Sequence, residues 1–166
     1  MPSLSEHSND QILLDGERNP TDFHMVTQVS LVIETGLLSA DTRTWSNASW
    51  VGFIGGVQVY ILDGNDYVIA ITQVQDFAAN GRRVPGGPSL REDHWTEQLD
   101  PGRLQTARKL LIIQFWDPQN SLIPFLQALA SDTSVVGCTW DEVTNTICKV
   151  YPGFPSCTTS TDDSAP

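Results

Sequence analysis

Residues 49–75 read SWVGFIGGVQVYILDGNDYVIAITQVQ, and the rest of the chain is placed relative to them. Phe53, Val57, Val59 and Ile61 keep in step at even spacings, the period at which side chains return to one face of a strand. Asp63-Gly64-Asn65-Asp66 follows with turn chemistry: Gly tolerates backbone angles that other residues resist, and Asn and Asp bond to their own main chain. Strand character resumes from Tyr67 to Gln75, so the stretch is predicted to be a β-hairpin. Gly52, Gly55 and Gly56 interrupt its first arm, which within a strand signals a bulge or a close backbone approach.

Toward the N-terminus, Met25 to Thr35 puts Val29, Leu31 and Ile33 on one face and Gln28, Ser30 and Glu34 on the other, with Val32 the exception. After Gly36, Leu37 to Trp45 is its expected return. Toward the C-terminus, Phe77 to Pro88 carries Asn80-Gly81, Pro85, Gly86, Gly87 and Pro88 and is expected to be a surface loop. Weak strand character runs from Leu90 to Thr96, and Asp100-Pro101 is expected to open one or two helical turns through Ala107. Lys109 to Trp116 is apolar almost throughout, the pattern of a central strand covered on both faces, and Asp117-Pro118 ends it.

Leu122, Phe125, Leu126 and Leu129 fall on one helical face within Ser121 to Ser131, with Pro124 tolerable in the first turn. A last short strand is expected near Thr146 to Tyr151. Several short strands with turns between them, and hardly any helix for crossovers, predict a mainly β protein: an antiparallel β-sandwich or small open barrel with one C-terminal amphipathic helix. Residues 1–22 and 158–166 are polar and are expected to be flexible tails, leaving 23–157 as a single β-rich domain.

Nine Lys and Arg against twenty Asp and Glu leave a formal net charge of −11. Nucleic acid and anionic membrane surfaces are therefore not expected as partners, because both need a basic footprint and Arg82-Arg83 stands isolated. No apolar run is long enough to span a bilayer, and Met1 to Pro20 lacks the apolar centre of a secretory signal, so a cytoplasmic chain is expected. The three cysteines, Cys138, Cys148 and Cys157, are expected to be free buried thiols, with one bridge and a leftover thiol as the alternative.

Arg91-Glu92-Asp93-His94-Trp95-Thr96-Glu97 is the densest polar cluster and the best candidate for acid–base chemistry. In a strand, Arg91, Asp93, Trp95 and Glu97 share one face while Glu92, His94 and Thr96 share the other. His94 is thus the candidate catalytic base or acid, and Glu92 is better placed than the adjacent Asp93 to orient it. His7 and His24 stand too far off in sequence for a zinc motif, no cofactor motif is present, and neither a metal nor a cofactor is expected. Of the five tryptophans, Trp116 belongs to an apolar run, whereas Trp45, Trp50 and Trp95, with Arg91, are candidates for ligand contact.

Three functions compete. The first is a non-catalytic β-sandwich that binds a small molecule, glycan or protein partner through Trp-bearing loops. The second is a small cofactor-independent enzyme, an isomerase, cyclase or hydrolase, using His94 and a carboxylate. The third is a homodimeric assembly subunit pairing along the Gly-rich segment from Val51 to Leu62. An enzyme predicts a closed pocket where His94 meets a carboxylate, and a binder predicts a shallow, open aromatic face.

Overall fold

A computed structural model describes residues 3–10, 22–49, 52–81, 89–116 and 121–151. Its strands are β1 (Ser3–His7), β2 (Phe23–Val32), β3 (Leu37–Ser46), β4 (Phe53–Leu62), β5 (Val68–Ile71), β6 (Gln75–Ala79), β7 (Leu90–Gln98) and β8 (Lys109–Trp116). Helices α1 (Leu122–Ser131) and α2 (Trp140–Val150) follow. The strands form two antiparallel sheets, so the mainly β architecture expected of a sandwich or open barrel is present. The first sheet runs β1-β2-β3-β7; the second is centred on β4, with β8 along one side and β5 and β6 along the other.

Strand β4 explains the division of the core. Phe53, Val57, Val59 and Ile61 point between the sheets, among Met25, Val29, Leu31, Leu38 and Trp95. Tyr60 and Leu62 point the opposite way, among Ile113, Phe115, Leu126 and Ile147 beneath the helices. Every β4 residue except Ile54 is buried, because the strand is covered on both faces. The second face also holds Gln58, whose amide nitrogen donates to the carbonyls of Thr72 and Leu126 and whose oxygen accepts from the Tyr60 hydroxyl. Burial raises the Tyr60 phenol above its ordinary range.

The glycine pair marks close approach rather than a bulge. A Cβ on Gly56 would lie 2.2 Å from the Phe115 ring, and one on Gly55 would lie 2.5 Å from Met25 Cε. Register runs unbroken past both, and the shift in β4 comes at Ile61/Leu62.

Two seams close the sheets toward a barrel. Between the sheets the Trp95 indole donates to Thr42 Oγ1 at 3.0 Å, and toward the β1–β8 seam Thr27 Oγ1 donates to the Gln114 side-chain oxygen at 2.8 Å. The Thr42 hydroxyl therefore donates to Thr27 across 3.1 Å, giving one direction to a thread that joins β7, β3, β2 and β8. Gln114 Oε1 also accepts from Ser8 Oγ, just beyond β1, and its Nε2 donates to the Met25 carbonyl. At the other seam, Arg91 Nη1 donates to the Ala78 carbonyl, and the Glu97 carboxylate accepts from the Gln73 backbone N–H at 2.9 and 3.1 Å. Burial raises the Glu97 carboxyl above its ordinary value, partly offset by that N–H.

Several expectations are corrected. Among the described residues the last element is helix α2, not a strand near Thr146 to Tyr151, so two helices rather than one follow the strands there. The Thr139 side chain caps α2 by accepting from the Glu142 N–H, Asp141 and Glu142 fill its first turn and Lys149 its last, and Val143 and Ile147 face inward. The expected loop from Phe77 overlaps β6, and its residues 82–88 lie outside the described ones. Weak strand character at Leu90 belongs to a nine-residue strand. The expected helical turns after Asp100 are one 3-10 turn, Pro101–Arg103, with Asp100 accepting from the Gly102 N–H. Ser3–His7, within the segment expected to be a tail, pairs with β2.

Cys148 is disulfide-bonded and Cys138 is free, so the arrangement is a bridge with a thiol left over rather than free thiols throughout. Strand β4 is paired on both sides, so the segment suspected as a pairing edge offers none over Phe53–Leu62. No helix of the described residues is long and apolar enough to cross a membrane.

Candidate functional site

Helices cover the outer face of the second sheet. The outer face of the first stays exposed or half-buried among the described residues. Antiparallel register arranges its outward side chains in rows across the strands. His7 lies opposite Gln28, Gln28 opposite Asp41, and Asp41 opposite His94, one residue from each of the four strands. The next row is Val26, Arg43 and Glu92, and the one beyond is His24, Trp45 and Leu90. All three histidines of the chain stand on this face.

A groove of about 450 Å³ lies over the first two rows, lined by His7, Val26, Gln28, Asp41, Thr42, Arg43, Glu92, Asp93 and His94. His94 Nδ1 meets Asp41 Oδ1 at 2.9 Å, with the two side chains 63% and 73% exposed, so the groove is open to solvent. The carboxylate orients the imidazole through Nδ1, leaving Nε2 for a ligand or a proton. Arg43 Nε lies 3.8 Å from Glu92, and the guanidinium carbon stands 5.2 Å from the centre of the Trp45 ring. His24 stacks on Trp45 at 4.8 Å and 8° between planes, held by Asp10 through Nδ1 and by the Asn47 amide through Nε2.

The candidates from sequence separate. Glu92 shares the face of His94, as the strand alternation predicts, but its partner is Arg43, and Asp41 takes the orienting position. Asp93 turns inward and receives Arg91 Nε and Nη2 at 2.8 and 3.0 Å, with that guanidinium over Phe77. Arg91 therefore serves the seam between the sheets. Trp95 is buried, its N–H satisfied by Thr42, which withdraws it from ligand contact; Trp45 stays on the outer face, and Trp50 lies outside the described residues. Trp116 packs edge-on to Phe23 against the core, as its apolar run implies. Among the described residues no three His, Cys, Asp or Glu side chains converge as metal ligands would. Sequence reasoning missed Asp41, which is 53 positions from His94 and joined to it only by β3–β7 register.

These features define the class: a mainly β protein of two antiparallel sheets, one backed by helices and the other presenting an open polar groove. No family model, no curated protein and no solved structure matches the chain.

Proposed function

We propose that the protein is a non-catalytic binding domain whose ligand, a small molecule, glycan or protein segment, lies in the groove on the outer face of the first sheet. The observation that carries this reading is the openness of the groove: His94 meets a carboxylate there, yet both side chains stand mostly in water, where substrate-enclosing sites exclude it. Four strands supply the lining, so the face needs little reordering to bind. A library of small polar compounds titrated into the full chain, followed by backbone amide NMR, is expected to shift Gln28, Asp41, Arg43 and His94. Shifts confined to other surfaces sink the proposal.

The 2.9 Å bond between His94 and Asp41 favours a second reading, the small cofactor-independent isomerase, cyclase or hydrolase. NMR titration of His94 in wild type and Asp41→Asn separates the two. A midpoint unmoved by the substitution argues against an acid–base role, and one that moves strongly makes His94 the place to look for turnover. Disulfides persist in oxidising compartments, so the bridge at Cys148 supports such a compartment over the cytoplasm.

A further inference from the structure

We infer that a small organic cation binds at the margin of the groove, its guanidinium or ammonium group taking the place of Arg43 between Glu92 and Trp45, which stands in the row just beyond the groove, with Asp41 close by. This rests on the groove being the binding site and adds the class of ligand.

Charge is the first support. Asp41 and Glu92 present carboxylates to the groove, Asp93 turns its own inward, and Arg43 is the sole Arg or Lys among the described lining residues. Arg91 neutralises Asp93 through two short bonds, which leaves Asp41 and Glu92 as the carboxylates available to a ligand. With a formal net charge of −11 over the whole chain, the surrounding field draws cations in and turns anions away.

Aromatic preorganisation is the second. His24 stacks on the Trp45 ring and is itself tied to Asp10 and Asn47, so the indole is held in place before any ligand arrives. An indole face is the best of the aromatic surfaces for a cation.

The third support is Arg43, which shows the chemistry in miniature. Its guanidinium sits over Trp45 and 3.8 Å from Glu92, while the Arg43 and Glu92 side chains are 57% and 74% exposed. A long, exposed ion pair of this kind is weak. An incoming cation displaces Arg43 at little cost and inherits its two partners, the ring face and the carboxylate.

Agmatine, which carries a guanidinium, an ammonium and no carboxylate, is the probe, with glucose as the neutral and citrate as the anionic comparator. Agmatine is expected to shift the Trp45 indole N–H and the amides of Asp41, Glu92 and His94, and added salt is expected to weaken it. Glu92→Gln is expected to weaken agmatine by about fivefold, the weight of one exposed ion pair. Arg43→Ala is expected to tighten it, and both side chains are exposed enough for the variants to fold. If glucose or citrate shifts the same residues equally or more strongly, the groove stands as a binding site and the cation inference falls. Loss of agmatine binding in Arg43→Ala overturns the displacement of Arg43. If none of the three probes moves a groove residue, both the inference and the proposed function fail.

Discussion

The two sheets are built from the same kind of strand and have opposite fates. The second is buried on both faces, between the first sheet and the helices; the first is buried on one face only and leaves the other to water. The cause is visible strand by strand. In β4 and β8 both alternating sets of side chains are largely apolar, whereas β2 and β3 put apolar or hydroxyl side chains inward and a mixture of polar and apolar ones outward. Two buried faces concentrate stability in the second sheet, and one exposed face leaves the first free to vary its chemistry.

If that division is right, substitutions should sort by sheet. Phe115→Ala, which empties a fully buried site against Gly56, is expected to cost about 3–5 kcal/mol, read as a lowered urea midpoint. Gly56→Ala adds a Cβ where the Phe115 ring already stands and is expected to cost about 1–3 kcal/mol in the same assay. Thr27→Val removes the donor to Gln114 and the acceptor for Thr42 in the buried thread, and is expected to cost about 1–3 kcal/mol. On the outer face, His94→Ala is expected to change stability by no more than about 0.5 kcal/mol while altering ligand-induced NMR shifts. A cost for His94→Ala that matched Phe115→Ala would dissolve the distinction between the sheets.

The smallest effect lies at the seam. The folded-state pKa of Glu97 is raised above its unfolded value, so the folded state holds the proton more tightly. The stability this contributes is present at low pH and is lost as pH rises through the folded value. Glu97→Gln keeps an acceptor for Gln73 and abolishes the titration, so its stability is expected to vary less with pH across the acidic range. Urea midpoints measured from pH 4 to 7, identical in slope for both proteins, would remove burial as the cause of the shift.

Much of the fold was legible because its signals are local. The β2–β3 and β4–β5 hairpins, β8 and α1 each carry period and punctuation within a dozen or so residues. Strand β7 was harder, since Arg91, Asp93 and Glu97 alternate toward the interior and blur the contrast between faces. Helix α2 was misread because Thr146, Ile147 and Val150 suit a strand, although Thr139, Asp141 and Glu142 announce a helix start. Of the outer-face residues, the sequence offers His94 and Trp45 as candidates but not Asp41, because residue type says nothing of which distant strand will lie alongside.

Period-two alternation and turn chemistry are properties of neighbouring residues, and they sufficed for most of the antiparallel strands, while composition alone carries the acidic character of the chain. Strand partners, the sheet that receives the helices, and the side of each strand that meets water depend on contacts between distant segments. Trp95 and Trp45 were equivalent candidates in the linear chain. Pairing of β3 with β7 placed one in the core and the other beside Arg43, and brought Asp41 to His94, because the two faces of a strand differ only once another surface covers one of them.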